Sequence, residues 1–244
     1  MRTLYLDCFS GISGDMTIGA LLDLGGDSAL LEREIAKLDI ESEYKLETYK
    51  VVKKGVSATK FDVVLTEHEG GHHHRNYSDI VTMITKADLN ENVTAMALSI
   101  FEKIGRAEAK IHNMAFEKVH FHEVGAVDSI VDIVGASILI DSLDISRIIS
   151  SPVPVGNGRI RIAHGLYPVP APATLELLKG IPIQRTEIKG ELTTPTGGGI
   201  LAALVNEFGP MPSFTIEAIG YGAGTKDFSD HPNVLRAILG RDER

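Results

Sequence analysis

Two imidazoles and three carboxylates fall within thirteen residues at His120-Phe121-His122-Glu123, Asp128 and Asp132. In an extended segment His120 and His122 share one face, because side chains alternate with period 2. Asp128 and Asp132 share a helix face at i, i+4. The predicted helix around Asp132 is Ile, Val, Ala and Leu nearly all round. A carboxylate placed there needs a cation or hydrogen-bond donors to receive it. Imidazole and carboxylate together suit a borderline divalent metal. The plainer alternative makes Asp128 a helix cap, Asp132 a salt-bridge partner and the histidines surface residues.

Five further stretches carry chemistry-bearing residues. Glu67-His68-Glu69-Gly70-Gly71-His72-His73-His74 is a glycine-softened loop whose imidazoles, without thiolate, suit Ni²⁺, Zn²⁺ or Cu²⁺. Adventitious binding is its bland alternative. In Asp7-Cys8-Phe9-Ser10-Gly11-Ile12-Ser13-Gly14-Asp15-Met16 a strand ends on an acid, a glycine turn follows and a helix begins. Amides in such a turn favour an anion, and Asp7 could hold a metal ion that holds a phosphate. Without a ligand, Ser13 would cap the helix and Asp15 complement its dipole. Neither Gly-Lys-Ser/Thr nor G-x-G-x-x-G occurs here. Glu191-Leu192-Thr193-Thr194-Pro195-Thr196-Gly197-Gly198-Gly199 makes a second anion cradle with Thr196 as its cap, and Gly220-Tyr221-Gly222-Ala223-Gly224-Thr225-Lys226 a third glycine-dense turn. Arg159, Arg161 and His164 add cationic donors suited to phosphate or carboxylate. Cys8 has no assignable partner base and reads as a buried thiol.

The elements that must position these residues alternate. Strands are predicted over 2–6, 44–52 and 60–66, the last two as a hairpin around Lys54-Gly55. Helices are predicted over 15–24 and 30–38, from Ser78-Asp79, from an Asn90 or Asn92 cap to Ile111, and from Asp128 to Leu143. Strands at 147–150 and 159–162 follow, then a Pro-rich bend (Pro168, Pro170, Pro172) into 174–178. Extended chain at 181–187, a helix over 196–208 and strands at 214–219 and 234–239 complete the pattern. All ten prolines lie at or beyond Pro152, so the second half must turn often. The interleaving predicts an α/β fold with a mixed sheet, and two lobes are expected, 1–66 and 78–244, joined by the histidine-rich loop 67–77.

The 244 residues carry 24 Lys and Arg against 33 Asp and Glu, a formal charge of −9. An acidic chain without basic clusters is a poor match for a phosphate backbone, so nucleic acid is not expected as a partner. One cysteine cannot form an internal disulfide, which favours a reducing, cytoplasmic setting. The most apolar stretch, 130–140, is too short for a membrane span and carries Asp132.

The strand–turn–helix at 7–16, the His120–Asp132 stretch and Thr194-Pro195-Thr196-Gly197 together resemble the LarC family. So do the histidine-rich loop, His164-Gly165 with its Pro-rich bend, and Gly220–Thr225. That family comprises the nickel insertion proteins of nickel-pincer cofactor biosynthesis. The resemblance implies insertion of Ni²⁺ into pyridinium-3,5-bisthiocarboxylic acid mononucleotide, a lyase-type chelatase reaction with CTP hydrolysis and Mg²⁺ or Mn²⁺. On that reading His68, His72, His73, His74, His120, His122, Glu123 and Asp132 serve metal, and Asp7, Asp15 and Asp128 serve magnesium, phosphate or catalytic contact. Ser10, Gly11, Gly14, Thr194, Thr196, Gly197, Gly222 and Gly224 would seat phosphates. The resemblance places CTP binding in a C-terminal module that this sequence lacks, expected in trans, with a second copy of the chain as a further expected partner. Gly198 and Gly199 stand where similar sequences lead one to expect alanines. Two rival functions remain: a non-catalytic nickel reservoir, and a divalent-metal phosphohydrolase built on Asp7 and the His/Asp cluster.

Overall fold

The computed structural model describes residues 1–66, 75–121, 126–162 and 165–241. Seven strands form one mixed sheet: β1 (Arg2–Asp7), β2 (Tyr44–Lys53), β3 (Val56–Leu65), β4 (Arg147–Ser150), β5 (Glu207–Phe208), β6 (Thr215–Ala223) and β7 (Val234–Arg241). Their spatial order is β5-β4-β1-β7-β6-β3-β2. β4 runs parallel to β1 and β5 parallel to β4, β7 is antiparallel to both β1 and β6, and β6 is parallel to β3. The α/β expectation holds, with strands drawn from both sides of residues 67–77.

Seven helices accompany the sheet: α1 (Gly14–Asp23), α2 (Ser28–Ala36), α3 (Tyr77–Lys86), α4 (Glu91–Ile111), α5 (Val127–Ser142), α6 (Pro172–Leu177) and α7 (Pro195–Leu204). α5 is buried on nearly every side, as its all-round apolar sequence requires. α1 lies between α5 and strands β3 and β6, and α4 packs on α5, α6 and α7. Leu4 and Leu6 of β1 and Leu235, Ala237 and Leu239 of β7 join the helices in one core. Each of these buried leucines contributes roughly 1.5–3 kcal/mol. The opposite sheet face buries smaller clusters, Tyr5, Ile149 and Ile238 with Phe214 packed against them, and Val234 with Ala58 and Ala223. No helix among the described residues is long and apolar enough to cross a membrane.

Local sequence explains most element ends. The β2–β3 hairpin turns at Lys54 and Gly55, with φ of 47° and 83°, the pair of positive values that a two-residue hairpin turn needs. Asn76 caps α3 in a reciprocal capping box with Asp79. Asn90 caps α4, its side chain accepting from the Asn92 amide at 2.8 Å. Two expectations are corrected. The helix expected over 196–208 stops at Leu204, because Asn206 pairs with Ile148 through both its backbone amide and its side-chain oxygen, each 2.8 Å, and leads into β5. The glycine-dense run at 220–223 is strand, not turn. A β-carbon at Gly222 would stand 1.8 Å from the Met16 carbonyl oxygen, and one at Gly220 2.3 Å from that of Ala20. These glycines let α1 press onto the sheet.

Candidate functional site

The helix starts converge at the ends of the parallel strands. β1 leads through the turn 8–13 into α1. The turn locks onto the chain before α7: the Ile12 amide donates to the Leu192 carbonyl at 3.1 Å, and the Thr194 amide donates to that of Ile12 at 3.1 Å. Gly11, at φ 87°, and Gly197 allow this: a β-carbon on either would stand 2.0 or 2.1 Å from the facing carbonyl oxygen. α5 starts beside α1, its Asp132 side chain lying against Gly14. In open α/β sheets such an edge, at strand carboxyl ends and helix amino ends, is where ligands sit.

Within this crevice the carboxylates form a graded set. Asp132 is half-buried, yet its Oδ1 is enclosed and has no hydrogen-bond partner. Burial, then the neighbouring charges of Asp15 and Asp128, push its carboxyl well above the usual range. Asp15 accepts the Ser13 hydroxyl hydrogen and a 2.8 Å ion pair from Lys60. Lys60 also reaches Asp62 at 2.6 Å and the Phe61 carbonyl at 2.9 Å, with only 6% of its side chain exposed. Burial opposes the charge on Lys60, but Asp15 and Asp62 overcome it and raise its pKa. Asp128 is exposed in the first turn of α5, its Oδ1 accepting from the Ser129 amide.

The helix ends differ in how they are capped. Ser13 flanks α1 without capping it, its hydroxyl being turned to Asp15. Thr194, not Thr196, caps α7, accepting from the Gly197 amide at 3.1 Å; Thr196 is buried. The first-turn amides of α1 thus have no side-chain cap, which leaves the positive end of its dipole toward the crevice.

The remaining expected residues are placed as follows. Asp7 accepts a two-pronged ion pair from Arg236, which its register on β7 puts directly opposite. Ser10 is buried and donates to the Pro232 carbonyl at 2.7 Å, tying the turn to the β6–β7 loop. Gly224 lies against the Asn233 side chain, and Gly199 against Ile104 of α4. His120 is exposed and bridges to Asn76. His68, His72, His73, His74, His122, Glu123 and His164 lie outside the described residues. Among the described residues no three His, Cys, Asp or Glu side chains stand close enough to hold a metal ion by themselves.

Sequence reasoning missed Lys60, Asp62 and Arg236. Lys60 and Asp62 carried a signal, charges flanking Phe61 in an otherwise apolar and Thr/Ser-rich strand. Arg236 carried none, since its tie to Asp7 depends on the register of strands distant in sequence.

The sequence profile of the nickel insertion proteins matches residues 4–244. A relative from Geobacillus kaustophilus, named pyridinium-3,5-bisthiocarboxylic acid mononucleotide nickel insertion protein, is 58% identical over all of this chain and 61% of its own length. Relatives of the same name from Staphylococcus epidermidis and Desulfitobacterium hafniense are each 52% identical, over 97% and 98% of this chain and 59% and 58% of their own. The chain thus spans about 60% of the length of these curated relatives. No solved structure matches it. On the evidence of that near-complete match, the chain belongs to the nickel insertion protein family.

Proposed function

We propose that this chain is the nickel-handling part of an enzyme that inserts Ni(II) into pyridinium-3,5-bisthiocarboxylic acid mononucleotide, with CTP hydrolysis carried by a separate module. Family membership and the relatives' names support the reaction class. The single observation supporting the site is the enclosed, partnerless Asp132 oxygen at the meeting of three helix starts. An enclosed carboxylate oxygen without a donor is costly, and a cation removes that cost.

The donor chemistry fits Mg²⁺ or Mn²⁺. Such hard ions take carboxylate oxygen and need only one or two protein carboxylates when water and substrate phosphate complete the shell. Asp132 and Asp15 would supply those oxygens, with Asp128 at the rim. Bound there, the ion would neutralise phosphate charge. Lys60 holds Asp15 in place from the β3 side, and the uncapped amides of α1 face the phosphate. His120, His122, Glu123 and the 67–74 tract would carry nickel as cargo. Imidazole without thiolate releases nickel to thiocarboxylate sulfur, a softer donor, which suits handover over storage.

The test is reconstitution of nickel insertion from this chain, the polypeptide that completes the longer relatives, the precursor, Ni²⁺, Mn²⁺ and CTP. The chain alone should bind nickel and leave the precursor uncharged; the full mixture should charge it. Charging by the chain alone without CTP, or none under any combination, would overturn the reading.

A further inference from the structure

Away from the crevice, the outer face of the helical layer carries a positive cleft on a negative protein. Lys103, Arg106 and Lys110 occupy one face of α4 at spacings of three and four, and Lys179 faces them from the chain after α6. They line a cleft of about 430 Å³ floored by Leu177, Ile181 and Ala202. That volume is in the range of small-molecule sites.

The carboxylates near the cleft are already committed. Glu176 pairs with Lys110 at 2.6 Å, and Glu102 with Arg106 at 2.6 Å. Lys110 and then Lys179 hold the Glu176 carboxyl below its ordinary value. Neither Lys103 nor Lys179 has a salt bridge among the described residues. In a chain of formal charge −9, such an excess of cations around one concavity is out of character with the rest of the surface.

A second concavity, of about 360 Å³, adjoins the first across Arg106 and Lys110. It is lined by Met114 and Phe116, and the Arg106 guanidinium sits 4.9 Å from the centre of the Phe116 ring. Cationic and apolar-aromatic surfaces are therefore side by side, with Arg106 common to both. A ligand matching them carries phosphate at one end and a flat ring at the other.

We propose that this double cleft between α4 and α6 binds a nucleoside phosphate, with its phosphates on Lys103, Lys110 and Lys179 and its ring beside Arg106 and Phe116. The proposal is separate from the Asp132 crevice and does not rest on the function assigned there. Ring and phosphate could come from a pyridinium mononucleotide or from an ordinary nucleotide.

Calorimetry of the whole chain at low ionic strength tests this with three probes: nicotinic acid mononucleotide, adenosine 5′-diphosphate and inorganic pyrophosphate. At least one nucleotide should bind fivefold or more tighter than pyrophosphate, and whichever binds tighter identifies the source. The exposed pair Lys103→Glu/Lys179→Glu should weaken that nucleotide tenfold or more, with unchanged circular dichroism. No nucleotide binding, pyrophosphate binding as tightly as the nucleotides, or unchanged affinity in the double variant would each overturn the proposal.

Discussion

Asp132 of α5 lies so close to Gly14 of α1 that a β-carbon on Gly14 would stand 2.5 Å from the Asp132 carboxyl group. The first residue of one helix is thus glycine because a partnerless acid of another occupies the space. Gly14→Ala should destabilise the chain by about 1–3 kcal/mol, the range for overpacking a well-filled site. Asp132→Ala in the same chain should return most of that loss, a coupling readable in a double-mutant cycle by urea denaturation. Additive losses would mean that Gly14 is required for another reason.

A divalent ion at Asp132 has a thermal signature. Mn²⁺ at a hundred times its dissociation constant stabilises a folded chain by about 2.7 kcal/mol, which for this size raises Tm by about 5–10 °C. Asp132→Asn should lose most of that rise while keeping its own fold. An equal rise in both chains would place the ion elsewhere.

Asp23, at the far end of α1, predicts an acid sensitivity. Burial pushes its carboxyl up, but hydrogen bonds from Lys50, the Tyr221 amide (2.8 Å) and the Thr59 hydroxyl (2.9 Å) overcome this and hold it below the usual carboxylate range. Because the folded value is depressed, its stabilisation is fully present above about pH 4 and is lost as pH falls through the lowered value. Asp23→Ala should cost about 2 kcal/mol at pH 7 and show a flatter decline below pH 4. Stability curves measured from pH 7 to pH 2 check both statements; parallel curves would remove Asp23 from the account.

Cys8 should be inert while the chain is folded. Burial pushes its thiol up to about 12, and the side chain is fully enclosed beside Ser150. The thiolate is the reactive form, so iodoacetamide at pH 8 should leave the native chain unmodified by mass spectrometry. In denaturant the same cysteine should be alkylated. Rapid native labelling would show that the β1 end opens.

Legibility from sequence followed the range of the interactions. The α4 start at Asn90 or Asn92, the Lys54-Gly55 turn and the apolar wrap of α5 are local, and each was readable. The end of α7 was not, because a backbone pairing with Ile148 stops it. Gly222 read as a ligand turn for the same reason: the helix that needs its missing side chain is two hundred residues away. At the site, Asp15, Asp128 and Asp132 were singled out by type and spacing; the structure sets Asp132 against Gly14, where the charges of Asp15 and Asp128 act on it, without gathering three acids closely enough to hold a metal ion among the described residues. Lys60 and Asp62 entered only once β3 was placed beside α1.

The position of β7 has a consequence for biosynthesis. β1 leaves the ribosome more than two hundred residues ahead of β7, yet one whole side of it pairs with residues 236–241. Until these emerge, its Leu-Tyr-Leu run keeps an open hydrogen-bonding edge, the kind that recruits other chains. The sheet therefore closes late, by its most sequence-distant contact, and such contacts slow folding. A nascent chain stalled before Val234 is expected to be held by chaperones or to aggregate, whereas release past Arg241 lets the central strands close together.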